Sequence, residues 1–415
     1  MGPLASLYRR VRAATERLAD PLTVEDQVVQ SLPEASPVKW HLAHTSWFFE
    51  TFVLAEHAPD YRPLDSRHRA LFNSYYNAVG EPPLRAARGT LSRPTVDEVR
   101  AYRRHVDEAM HPLLDNPSLE ERLSFSIELG INHEEQHQEL ILTDVKHALA
   151  VNPLEPLYRK GSARSVIEST ALQFIERTGG ALEIGHSGNG FSFDNERPRH
   201  RVQLAPFSIA NRLVTNSEYL AFIEDNGYSR PELWLSDGWE IRRREGWEHP
   251  LYWRFIDGQW TEMTLCGRQS LDPAAPVCHV SHYEADAYAT WMNARLPLES
   301  EWESVAAQCP IRGNLLEQDL LHPSPFQRGD APIGQLFGDA WEWTGSAYLP
   351  YPGYARARFR GSLGEYNGKF MSGQLVLRGG SCATPARHLR ATYRNFFPPN
   401  ARWQFTGIRL ARDLD

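Results

Sequence analysis

Cysteine is scarce in this chain. There are four in 415 residues, Cys266, Cys278, Cys309 and Cys382, all in the second half and none in a CxxC pair. That spacing excludes a disulfide-built scaffold and a zinc knuckle, and it fits a reducing cytosol. No apolar run approaches the roughly 18 residues needed to cross a bilayer, and the N-terminus lacks the apolar core of a secretory signal. The reading is therefore a cytoplasmic protein with no membrane partner. A cationic surplus is missing as well: 44 Lys and Arg against 52 Asp and Glu leave a formal charge of -8, which does not prepare the surface for nucleic acid. Internal repeats and low-complexity tracts are absent too. What remains, 41% hydrophobic and 23% charged residues, is an ordinary globular composition, long enough for two or three domains.

Two textures divide the chain. The first part reads as four helices, Leu4 to Leu18, Val38 to Leu54, Thr95 to Leu114 and Leu119 to Val151, separated by polar or proline-containing loops. Four such segments predict an antiparallel bundle over residues 1–155. Pro153, Pro156 and a polar KGSARS segment mark a linker over 156–175. From 176 to 415, short runs bounded by Gly, Pro and Asn leave room for three short helical windows, Asn216 to Asp225, Tyr283 to Ala294 and Glu299 to Gln308. This predicts an α+β domain with much irregular loop.

The fourth helix carries INHEEQHQEL, Ile131 to Leu140. His133 and His137 fall one turn apart on a stripe with Leu129, Leu140 or Ile141, and Leu149, so both imidazoles face the bundle core. Two polar rings there need partners, and a shared metal would satisfy both. The second helix offers His41 and His44 beside Trp40, Trp47, Phe48 and Phe49; either could be the third ligand of a facial site. Periodicity does not choose between them.

The embedded His-Glu-x-x-His raises the possibility of a zinc peptidase. One form needs Gly at 140 and His at 143, where the chain has Leu140 and Thr143. The other takes a Glu from a later helix, and none in register follows Val151. Three neutral imidazoles instead leave up to three open positions, which suits Fe(II) that must bind a substrate and dioxygen together. Glu134, about 100° round the helix from His133, is expected to be solvated or in a supporting role.

Other residues could carry chemistry. Tyr75 and Tyr76 stand in a loop between bundle helices, and a phenol near a metal can act as an acid. Arg85 and Arg88 in PLRAARG suit capture of a carboxylate. Arginines interleaved with aromatics in RHLRATYRNFFPPNARWQFTGIRLAR are read as structural, because net acidity weakens a nucleic-acid role.

With these residues in place the chain resembles the ergothioneine-type sulfoxide synthases. The resemblance rests on SPVKWHLAHTSWFFETF and INHEEQHQELILTD in the first part. In the second it rests on GGALEIG, FDNERPRHRV, VTNSEYLAFI, ARLPLESEWE, WEWTGSAY, EYNGKF and LRGGSCATPARHLRATYRNFFPPNARWQFTGIRLA. It implies a DinB-like four-helix bundle followed by a C-type-lectin-like domain of the formylglycine-generating-enzyme fold. It also implies an Fe(II) cofactor held by His44, His133 and His137. Gln136 would contact hercynine, the trimethylated betaine of histidine. Arg85, ahead of Arg88, would bind the carboxylate of the sulfur donor, and Tyr75 or Tyr76 would supply a proton. Trp403 and Phe405 would belong to a loop closing over the substrates.

The implied activity is O2-dependent joining of a cysteine-type thiol, cysteine or γ-glutamylcysteine, to the hercynine imidazole with sulfoxidation. The tandem tyrosine points toward cysteine. Two alternatives stand beside it: a selenoneine synthase taking hercynine and a selenosugar, and a non-catalytic metal-binding module fused to a recognition domain. Formylglycine-generating enzymes bind copper through paired cysteines, whereas Cys382 has no neighbour in its motif and reads as a packed core thiol. The oligomeric state is not legible.

Overall fold

The computed structural model describes residues 2–76, 79–161, 170–327, 332–355 and 367–414. The chain forms two compact units, one built on Met1–Tyr158 and the other on Arg159–Tyr354 with Asn367–Asp415. Residues 162–169 of the expected linker and the start of EYNGKF lie outside the described residues.

Four long helices make up most of the first unit among the described residues. Helix α1, Pro3–Ala19, opens on a proline whose missing N–H would have been unsatisfied there anyway. Helix α2, Val38–Phe49, is buried at every residue. It widens into a π-helical stretch, Glu50–Leu54, which turns the Glu50 carboxylate inward to accept from the Tyr102 hydroxyl at 2.6 Å. Helix α3, Val96–Leu114, starts in a reciprocal cap in which the Thr95 hydroxyl accepts from Glu98 N–H and the Glu98 carboxylate accepts from Thr95 N–H. Helix α4, Pro117–Val151, is capped by Asn116 and runs unbroken for 35 residues.

Helix α4 packs mainly on α1 and α2, and α2 also packs on α3. This exceeds what a single inward stripe predicts. Leu129, His133, His137, Ile141 and Leu149 are buried as expected, but so are Asn132, Glu134, Glu135, Gln138, Glu139, Asp144 and Lys146. The middle of α4 is enclosed on most sides, so its polar residues point into the bundle as well. Gly130 permits the close approach to α2: a Cβ there would lie 2.5 Å from a Phe49 ring carbon and 2.9 Å from Phe48.

The second unit holds small sheets among short helices. Its central sheet has the strand order Asn395–Phe397, Leu375–Arg378, Trp341–Ala347, Thr406–Gly407, the last pairing in parallel with Trp341 and Glu342. Helices α5 (Asn216–Glu224), α7 (His282–Trp291) and α8 (Glu299–Ala306) occupy the three expected windows. Helix α6, Ser236–Glu245, was not expected. Its sequence SDGWEIRRRE has no apolar periodicity and only Gly238 is buried, so the helix shows as an exposed turn closed by left-handed Gly246.

Four arginines of the C-terminal stretch have structural roles. Arg409 meets Glu342 at 2.7 Å, Arg394 meets Glu299 at 2.9 Å, Arg390 meets Glu196 at 2.7 Å and Arg402 meets Glu284 at 2.8 Å. Each of these glutamates is buried, so the pairs satisfy charges that could not remain in the interior alone. No disulfide joins the four cysteines, and Cys382 is fully buried. Among the described residues no helix is long and apolar enough to cross a membrane.

Candidate metal centre

Helices α2 and α4 bring His44, His133 and His137 together. The Nε2 atoms of His44 and His137 each lie 3.1 Å from Nε2 of His133. A candidate ligand atom from each of the three buried residues lies within 4.8 Å of the others. Aromatic rings hold the imidazoles in place. His44 is stacked between Trp40 at 4.5 Å and Trp47 at 5.3 Å, and His133 lies on Phe48 at 4.8 Å. The spacing explains this, since Trp40, His44 and Trp47 recur at four and three residues along one face of α2.

The hydrogen bonding supports a metal. His44 Nδ1 lies 2.6 Å from the Phe72 carbonyl, which can only accept, so Nδ1 carries the proton and Nε2 offers a lone pair. Burial, and next the neighbouring His133, hold His44 well below the ordinary imidazole pKa. Burial draws His133 down to about 3, and burial followed by the charges of His133 and His44 keeps His137 low. Three neutral rings thus aim Nε2 at one point. A cation there would turn mutual repulsion into coordination, so the donor set fits a metal bound by three imidazoles on one side.

His41, the other candidate from the second helix, is not part of the trio. Its Nδ1 lies 2.8 Å from Nδ1 of His137 and its Nε2 lies 3.0 Å from Asp144 Oδ2. The pair of histidines on α2 is thereby divided by geometry: His44 faces the centre and His41 faces the back of a centre residue.

Of the two expectations for Glu134, solvated or supporting, the structure excludes the first. Glu134 is fully buried, not solvated, with Oε2 accepting from Arg12 at 3.0 Å and Oε1 from Arg103 at 3.0 Å. Burial alone would raise its pKa, but the two guanidiniums outweigh it and hold the carboxyl at about 2. Arg12 also reaches Asp107 and Ser46, and Arg103 reaches Leu42 O and Thr45. One carboxylate on α4 therefore ties α1, α2 and α3 together directly behind His133.

Of the two arginines, Arg88 is the buried one. Its guanidinium lies 3.4 Å over the Trp40 ring and donates to Ser36 at 2.8 Å and Ser74 at 3.0 Å. Burial, then the charge of Arg85, draws its pKa to about 9, so it stays cationic at neutral pH. Arg85 is exposed. Arg88 is one ring away from His44, because Trp40 touches both.

Tyr76 is fully buried against Trp47 at 5.5 Å and Phe52 at 5.1 Å, with Tyr75 stacked on it at 4.5 Å and their hydroxyls 3.4 Å apart. Gln136, half-buried, follows His133 by three residues and directly precedes His137 on α4. In the second unit, Trp403 is half-buried, edge-on to Phe397 at 5.8 Å. Phe405, expected in a closing loop, is instead a core side chain with no exposure, its ring 4.9 Å from that of His279. Its carbonyl accepts from Trp341 N–H, so the adjoining strand Thr406–Gly407 draws it into the sheet. The residues that sequence reasoning missed are Ser36, Asp144, Arg12 and Arg103. Asp144 had a signal, since it lies seven residues beyond His137 and so on the same helix face.

Comparison with known proteins agrees with this division. The DinB superfamily profile matches residues 7–141, and the sulfatase-modifying factor enzyme 1-like domain matches residues 164–319 and 324–414. The hercynine oxygenase of Mycolicibacterium thermoresistibile is 33% identical over 413 residues, spanning 92% of this chain and 89% of that protein. That of Mycobacterium tuberculosis is 33% identical over 439 residues, spanning 99% of each. The chain belongs to the hercynine oxygenase family. Membership confirms the resemblance to sulfoxide synthases, a family of metalloenzymes, and sets aside the non-catalytic reading. A hercynine oxygenase bundle accounts for the trio on α2 and α4 without a peptidase, and the lectin-like second domain is the one the motifs implied.

Proposed function

We propose that this protein is an Fe(II)- and O2-dependent enzyme of ergothioneine biosynthesis that joins a cysteine-type thiol to C2 of the hercynine imidazole and oxidises the sulfur to the sulfoxide. The observation that carries the reading is the buried trio of neutral imidazoles in a chain similar to hercynine oxygenases along nearly its whole length. Ergothioneine biosynthesis protein 1 of Schizosaccharomyces pombe, 30% identical over 244 residues covering 54% of this chain and 28% of that protein, supports the same pathway. The cysteines' lack of disulfides suits a reducing cytoplasm.

The reaction balances. The hercynine C2–H and the thiol S–H are lost, a C–S bond and an S–O bond form, and O2 supplies one oxygen to sulfur and one to water. His44, His133 and His137 would hold the iron, which when bound supplies open positions for thiolate, substrate and dioxygen, so that reactants are held within bonding reach. Gln136 orients the hercynine ring beside His137. Arg88, buried and cationic, takes the carboxylate of the sulfur donor, and the stack on Trp40 keeps its guanidinium from swinging out. The Tyr75–Tyr76 hydroxyl pair delivers the proton that leads to water.

The test is an assay of anaerobically iron-loaded enzyme with hercynine and, separately, cysteine, γ-glutamylcysteine or a selenosugar, with O2 then admitted and products identified by mass. The expected product is a hercynine–thiol sulfoxide. A product only with the selenosugar would replace this reading with selenoneine synthesis, and no oxygen uptake with any donor would overturn both.

A further inference from the structure

His41 is only 1% exposed, yet the proposed chemistry leaves it without a task. Both its nitrogens are engaged. Asp144, seven residues after His137 on α4, places Oδ2 3.0 Å from His41 Nε2, and the same oxygen accepts from Ser36 N–H at 2.8 Å. Ser36 in turn accepts at its hydroxyl from Arg88. The carboxylate is thus held in place from two directions. Because an ionised carboxylate can only accept, His41 Nε2 carries a proton.

The opposite nitrogen of His41 faces Nδ1 of His137 at 2.8 Å. A contact that short between two ring nitrogens needs one proton, on one ring or the other. If His41 donated it, the neutral His137 would carry its own proton on Nε2, facing His133, and could bind no metal there. If His137 donates, its Nε2 lone pair joins those of the trio. Only the second arrangement agrees with the convergence of the three Nε2 atoms.

We propose that His41, fixed by Asp144, is a positioning residue for the metal: it accepts the Nδ1 proton of His137 and so sets that ligand's tautomer and ring orientation. The inference rests on the trio's binding a metal. It makes the ligands unequal. His44 is backed by the neutral carbonyl of Phe72, whereas His137 is backed by an imidazole that leans on a carboxylate, so His137 is the more electron-rich donor.

The full chain, freed of metal, is titrated with Co(II), following the visible absorption, for the wild type, His41→Phe and Asp144→Asn, with folding checked by circular dichroism. His41→Phe removes the acceptor and is expected to weaken cobalt binding roughly 10–100-fold. Asp144→Asn keeps an oxygen for His41 and Ser36 but removes the charge, so a smaller loss of affinity with a shifted cobalt spectrum is expected. Wild-type affinity and spectrum in both variants would overturn the proposal. If His41→Phe does not fold, Asp144→Asn decides alone by the same criterion. A wild type that takes up no cobalt overturns the metal reading itself, which separates the two failures.

Discussion

Arg103 Nη2 donates to Glu134 Oε1 at 3.0 Å, and neither side chain has any solvent exposure. This pair, with Arg12 on the other oxygen, is the polar centre of the bundle and stands one residue from a candidate metal ligand. Replacing Glu134 with Gln removes the carboxylate that Arg12 and Arg103 share, leaving Arg12 with Asp107 at 2.7 Å and Arg103 with only the half-exposed Glu16 at 3.4 Å. The expected cost is about 3–5 kcal/mol of bundle stability, read as a lower denaturant midpoint of the metal-free protein. A midpoint equal to wild type would show that the pair is not needed to hold α1, α2 and α3 on α4.

His282 predicts acid sensitivity in the second domain. Burial holds it at about 4 against an ordinary 6.5. The unfolded chain takes up a proton at this residue below pH 6.5 while the folded chain does not, so stability falls as pH drops from 6.5 toward 4 and levels off below. The difference is about 3 kcal/mol by pH 4. Chemical denaturation of wild type and His282→Phe at pH 7 and pH 4.5 checks it: the variant should lose less stability between the two.

Arg88 and Arg85 separate in kinetics. A buried guanidinium pairing with a carboxylate contributes about 1.5–3 kcal/mol, so Arg88→Gln is expected to raise KM for the thiol donor roughly 10–100-fold at saturating hercynine, with a smaller change in kcat. Arg85→Gln should move KM little. The reverse order would return the donor carboxylate to Arg85.

The tyrosine pair is tested by product partition. With a phenol delivering the proton, Tyr75→Phe or Tyr76→Phe is expected to raise the sulfinate formed from the thiol relative to the sulfoxide. An unchanged ratio in both single variants and in the double variant would remove the pair from the reaction.

Much of this arrangement was legible in the sequence, for identifiable reasons. The bundle helices showed because their caps and apolar periodicity are local. Thr95 and Glu98 close a cap three residues apart, and α4 begins after Asn116 with Pro117. His133 and His137 could be paired because four residues make one turn. His44 could not be chosen over His41 by spacing, since the choice depends on what lies across the bundle, the Phe72 carbonyl for one and Asp144 for the other. Whether Glu134 was solvated or supporting stayed undecided for the same reason. A helix enclosed by three neighbours has no solvent face in its middle, and periodicity does not count neighbours. Phe405 was drawn inward by a two-residue strand too short to leave a pattern.

The most direct test of the account is an anaerobic Fe(II) titration of the metal-free protein, comparing wild type with His44→Ala, His133→Ala, His137→Ala and His41→Phe. The account predicts one iron per chain in wild type, loss of that site in each of the three alanine variants, and a weakened but retained site in His41→Phe. Iron bound with wild-type affinity in any of the three alanine variants would contradict it.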